Sequence, residues 1–214
     1  RLTEIVNDAW ADGSMLEEVT PTTKELLKWW FSEEQCSIRK RNFHEGQRQA
    51  ILNIIYLHEV AKINTVTDTY DFVGEDLIAR ADLATLAKAK YQIPKDAVKM
   101  ATGTGKTWVM HAMLLWQMLN ARHEDEPSGR FTKNFLIVAP GLIVYDRLLD
   151  AFCGRIKRGE EYRDFETNDF VLNQDVFIPV HLRQEVFSFV QNNVVTKEEG
   201  IGRKATGDGM IALT

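Results

Sequence analysis

Residues 101–107 read ATGTGKT, and no other stretch constrains the fold of this chain as strongly. Gly103 and Gly105 allow backbone angles at which several N–H groups turn toward one point. Before them stands AVKM, residues 97–100, a short apolar run of the kind a buried strand shows. After them, Lys106 to Asn120 is apolar nearly all round, which predicts a helix buried on several sides. A strand, a glycine turn and a helix in that order aim loop amides and the positive helix end into one concavity, which is a cradle for phosphate. On this reading Thr102, Gly103, Thr104, Gly105, Lys106 and Thr107 hold the tail of a nucleoside triphosphate. Lys106 reaches the β- and γ-phosphates as the catalytic cation, and Thr107 offers its hydroxyl to Mg²⁺. The full phosphate-loop pattern has glycine five residues before Gly105, and here that residue is Met100.

The remainder of the chain supplies the setting. TPTTKELLKWWF predicts a helix with Thr20 as N-cap, Pro21 in the first turn, and Leu26, Leu27, Trp30 and Phe31 on one apolar side. The Trp-Trp-Phe run reads as core, with a base-stacking platform as the alternative. Arg39, Lys40 and Arg41 form a basic cluster that is either a phosphate-contact patch or a solvated loop. Ala50, Ile54, Leu57 and Ala61 then share a helical face. DLIARADLATLAKAKY, residues 76–91, looks helical until Pro94 intervenes. NFLIVAP predicts a central parallel strand, GLIVYDRLLDAF and LRQEVFSFVQNN predict helices, and DVFIPV predicts a short strand. KEEGIGRKATGDG reads as an exposed loop before a last apolar strand, MIALT. From residue 97 onward strands and helices alternate, which predicts an α/β fold with a parallel sheet and crossover helices.

Taken together, these stretches resemble one group of proteins. KMATGTGKT, lacking the first glycine, resembles motif I of superfamily 2 helicases and translocases, and most narrowly the helicase (Res) subunit of type III restriction enzymes and its DEAD-like relatives. FHEGQRQAI resembles the upstream glutamine element of that superfamily. The resemblance implies that Gln47 contacts the adenine edge and that Phe43 lies against the base. Gly46 stands where relatives carry an aromatic, and a buried helix start is the other reading of Gln47. NFLIVAPGLIVYDRL is similar to motif Ia, which implies backbone contacts to nucleic acid at Pro140 and Gly141, with a plain strand-to-helix turn as the other reading. GMIALT looks like the strand leading to the next motif. The likeness runs from about Thr20 to the last residue. It implies a partial RecA-like ATPase domain at 98–214, preceded by a helical segment at 1–62 and a connector at 63–97. It also implies ATP and Mg²⁺ as cofactors, DNA as the track and a modification methyltransferase subunit as a partner.

Hydrolysis of ATP requires an acidic pair after an apolar strand. HEDE, residues 123–126, has acidic letters but follows a helix, and GEE at 159–161 also lacks the preceding strand. The acidic motif is therefore expected beyond Thr214, making the chain, which opens on Arg1, an amino-terminal piece of a longer motor. A self-contained nucleotide switch or kinase-like protein is the competing reading, and a scaffold with a relic loop is the third. A net charge of −5 excludes a uniformly basic nucleic-acid coat but leaves room for a local basic groove. The five histidines have no metal-ligand spacing. Two distant cysteines and the lack of a long apolar run predict a cytoplasmic protein without a membrane span.

Overall fold

The computed structural model describes residues 1–74, 83–86, 88–125, 129–200 and 208–214. Most of the expected helix at 76–91, Glu126 of HEDE and the centre of the loop before MIALT lie outside the described residues. The chain divides into two compact units. One comprises residues 1–24 with Phe43–Val109, the other Glu25–Asn42 with Met110–Thr214.

The first unit is helical. Thr20 caps the helix Pro21–Phe31 as expected, its hydroxyl accepting from the Thr23 amide at 3.1 Å. Helix Glu45–Ile55 continues into a π-helical stretch, Tyr56–Val60. Val6, Met15, Ile51, Leu52 and Ile55 are buried in this unit. A buried carboxylate, Glu59, ties two of its segments together. It accepts from the Thr20 amide at 2.8 Å and from the Thr23 hydroxyl at 2.6 Å. Those bonds replace the water that a buried charge gives up.

The second unit is built on a parallel sheet. Its strands are β1 (Asn134–Ile137), β4 (Val194–Thr196) and β5 (Met210–Leu213), in the order β1-β5-β4. Phe135 and Val194 both register with Ile211. Helices Leu142–Cys153 and Arg183–Asn193 pack on β5, as crossover connections must. A separate hairpin joins β2 (Arg155–Ile156) to β3 (Arg163–Asp164). Trp30 is fully buried in this unit and donates its indole N–H to the Phe177 carbonyl at 2.9 Å. The Trp-Trp-Phe run is thus core at Trp30 and Phe31, while Trp29 is half-buried.

Three expectations need correction. Residues 97–100 form no strand and are largely exposed. A strand exists only where a neighbour accepts its ladder of hydrogen bonds, and no described strand pairs with this run. β1 is an edge strand rather than a central one, with Leu136 and Val138 exposed. The central place belongs to β5, which pairs on both sides. DVFIPV is a helical turn, Gln174–Phe177, followed by a 3₁₀ turn, Val180–Leu182. The Asn173 carbonyl accepts from the Val176 and Phe177 amides, so this short apolar run closes on itself locally. The brief strand β4 had no expectation at all.

His111 gives the second core its pH dependence. Its ring is completely buried, with centroids of Phe170, Phe152 and Phe177 at 4.4, 5.1 and 5.7 Å. Neither ring nitrogen has a hydrogen-bond partner, and burial lowers its pKa from 6.5 to about 3. The ring is therefore neutral at pH 7, and the 4.0 Å approach of Asp169 is not an ion pair there. Between pH 6.5 and 3 the unfolded chain binds a proton that the folded chain does not. The stability due to this group is complete above pH 6.5 and is lost as pH falls toward 3, at up to about 1.4 kcal/mol per pH unit. His111→Phe removes both the slope and two unsatisfied buried nitrogens, each of which costs about 1–3 kcal/mol. Urea unfolding should show the variant more stable than the parent at pH 7.5, with a gap that widens at pH 5.

Candidate nucleotide-binding site

The glycine loop has the expected backbone angles and the expected helix after it, but no strand before it. Gly103 and Gly105 have φ of +81° and +68°, which side chains rarely adopt. Helix Lys106–His123 follows at once, its first turn closed by the Trp108 amide on the Gly105 carbonyl at 2.9 Å. Thr102 and Gly103 occupy the turn and are exposed. Lys106 is exposed, and Thr107 is half-buried in the first turn. The Lys106 ammonium donates to the Ala101 carbonyl at 2.7 Å, and the Thr104 hydroxyl donates to the same oxygen at 2.7 Å. The cation therefore lies across the loop it would serve, held by one neutral acceptor. Phosphate oxygens bind an ammonium more strongly than a carbonyl does, because both partners are then charged.

The loop is braced by the glutamine element. His44 caps helix Glu45–Ile55 in a reciprocal box. Its ring Nδ1 accepts from the Gln47 amide at 3.3 Å, while Gln47 Oε1 accepts from the His44 amide at 3.0 Å. The other ends of both side chains reach the glycine loop. Gln47 Nε2 donates to the carbonyls of Thr104 at 3.3 Å and Gly105 at 3.2 Å. His44 Nε2 lies 2.8 Å from the Thr104 carbonyl. One neutral tautomer satisfies every contact, with hydrogen on Nε2 and a lone pair on Nδ1. Gln47 is only 4% exposed, with both ends of its amide engaged in this way. A Cβ on Gly105 would strike that amide, so a side chain there would displace the brace as well as strain the backbone.

Phe43 packs edge-on against Trp108, with centroids 5.7 Å apart, and is buried. Beside the loop, a cleft of about 370 Å³ is lined by Gly46, Gln49, Ala50 and Asn53 on one side and by residues 96–100 on the other. Pro140 and Gly141 are exposed in the second unit, where the Gly141 carbonyl starts helix Leu142–Cys153. Among the described residues, no group of three or more His, Cys, Asp or Glu side chains could hold a metal. Thr107, in the first turn of the loop helix, carries a hydroxyl that could join phosphate and water oxygens around Mg²⁺. His123 and Arg122, at the end of the loop helix, pair with Glu185 at 2.9 and 2.7 Å.

Sequence reasoning missed His44. The sign was available: an N-cap residue three positions before a glutamine is a capping-box spacing. Gln47→Ala should leave the Gly105 carbonyl without its side-chain donor and the Thr104 carbonyl with His44 alone. Hydrogen exchange of residues 101–108, followed by mass spectrometry, should speed up by roughly tenfold or more, equivalent to about 1–3 kcal/mol. Unchanged exchange would show that the brace does not hold the loop.

The family model for the type III restriction enzyme, res subunit, matches residues 40–200. That span contains the capping box, the glycine loop, β1 and β4. No curated protein and no solved structure matches the chain. With about three quarters of its length matched by that one model, the chain belongs to the family of the type III restriction enzyme res subunit.

Proposed function

We propose that this chain is the ATP-binding part of an ATP-dependent DNA helicase or translocase, the restriction subunit of a type III restriction enzyme or a close relative. The observation that carries the proposal is the braced loop. Its carbonyls are turned toward Gln47 and His44, its glycines hold positive φ, and Lys106 stands at the start of an 18-residue helix. Amides of residues 102–107 and the Lys106 ammonium would bind the β- and γ-phosphates. Lys106 would exchange its single carbonyl partner for charged oxygens, and Thr107 would present its hydroxyl to Mg²⁺ carried with the nucleotide. When bound, the ion neutralises phosphate charge.

In this reading Gln47 acts first by positioning the loop. Its contact with an adenine edge would require one of its present bonds to be released. Pro140 and Gly141, an exposed turn at the end of β1, would touch the DNA backbone. The proposal gives this chain nucleotide binding. A methyltransferase subunit is the partner and the cytoplasm is the compartment. No described helix is long and apolar enough to cross a membrane.

A fluorescent ATP analogue titrated with Mg²⁺ tests the reading. Lys106→Ala should weaken binding by roughly 10- to 100-fold, since a bond to a charged group contributes about 1.5–3 kcal/mol. Thr107→Ala should abolish most of the dependence on Mg²⁺. Equal affinity of parent and Lys106→Ala would overturn the assignment.

A further inference from the structure

The basic cluster at Arg39–Arg41 is not absorbed by the nucleotide site. In the second unit it lines an open cleft of about 920 Å³ together with Trp29, Leu172, Val176, Val180 and Arg183. The walls of this cleft are fixed. Arg39 donates through Nε to the Gln35 carbonyl at 2.9 Å, through Nη1 to the Val176 carbonyl at 3.3 Å, and through Nη2 to the Trp29 carbonyl. Its guanidinium also lies over the Trp29 ring, 5.3 Å from the centroid. Trp30 secures the same wall through Phe177. Four cations line the cleft against one carboxylate, Asp175, which is already paired with Arg183 at 2.7 Å. Lys40 and Arg41 are both exposed at the rim. Three aliphatic side chains stand between the charges with unusual exposure: Ile38 at 74%, Leu172 at 55% and Val180 at 64%.

This pattern selects among ligands. Single-stranded nucleic acid is held by aromatic faces for its bases and a row of cations for its phosphates. Here the lining has one aromatic ring, Trp29, already engaged by Arg39, and the remaining contact surface is branched aliphatic. Aliphatic knobs fit the apolar side chains of a peptide, and the exposed rim cations fit carboxylates beside them, although Arg41 also donates to the Asn173 side chain at 3.4 Å. A chain with a net charge of −5 that concentrates cations around an apolar cleft gains selectivity for acidic partners there. We propose that this cleft docks an acidic segment of a partner protein, with an aliphatic or aromatic residue seated among Ile38, Leu172 and Val180 and carboxylates facing Lys40 and Arg41.

The experiment uses the full chain as bait for a displayed library of random twelve-residue peptides. Selected sequences are then synthesised, labelled and titrated by fluorescence anisotropy. Enriched peptides should combine several Asp or Glu with a large apolar residue. Their affinity should fall at least tenfold in the double variant Lys40→Glu/Arg41→Glu and in Leu172→Asp. The melting temperature of each variant, compared with the parent, verifies that it is folded. Because no variant touches the glycine loop, ATP-analogue binding should be unchanged, which separates this proposal from the assignment of the nucleotide site. Enrichment without acidic residues, or equal binding to both variants, overturns the docking site. A twelve-nucleotide oligo(dT) that binds more tightly than any selected peptide and is lost in the same variants also overturns it, and would assign the cleft to nucleic acid.

Discussion

A loop that turns its amide hydrogens toward a ligand must send its carbonyl oxygens elsewhere, and those oxygens need donors. Here they find them in two side chains of one helix start. Gln47 and His44 satisfy each other's backbone through the capping box and use their remaining atoms to hold Thr104 and Gly105. Helix capping and loop bracing are thus one hydrogen-bonded unit, in which every polar atom has a defined role. In the proposed function, pre-organisation of this kind would leave little ordering to oppose phosphate binding.

The two cores handle buried polarity in opposite ways. Glu59 is buried with donors from Thr20 and Thr23 and fastens one segment of the first unit to another. His111 is buried among phenylalanines with no partner for either nitrogen, which keeps it neutral and makes it a source of acid sensitivity. The first arrangement compensates desolvation with hydrogen bonds. The second relies on a ring that surrenders its proton at modest free energy. The basic cleft is a third case, in which Arg39 is spent on backbone carbonyls while Lys40 and Arg41 remain exposed to solvent.

Local features were legible because their causes are local. Gly103 and Gly105 need no tertiary partner to permit positive φ, and Lys106 opens its helix where the apolar run begins. Thr20 caps its helix, and the helices at 142–153 and 183–193 follow from apolar spacing. Gln47 was legible as an element but not in its action, because nothing in FHEGQRQAI states that its amide will meet the carbonyls of residues nearly sixty positions away. His44 could have been read from the capping spacing, yet only folding shows that its second nitrogen reaches the loop.

Strands were the opposite case. AVKM and DVFIPV have suitable composition and form none, whereas Val194–Thr196, unremarked in sequence, is part of the sheet. A strand's hydrogen bonds go to another segment, so its existence and its place at edge or centre depend on which partners the chain brings alongside. The sequence by itself determined the glycine angles, the helix behind the loop and the starts of the helices at 21, 142 and 183, since those rest on backbone angles and contacts within a few residues. Only the tertiary structure decided that β5 is central and β1 an edge, that Gln47 and His44 brace the loop, and that Arg39–Arg41 line an apolar cleft, because each of these requires residues far apart in the chain to meet.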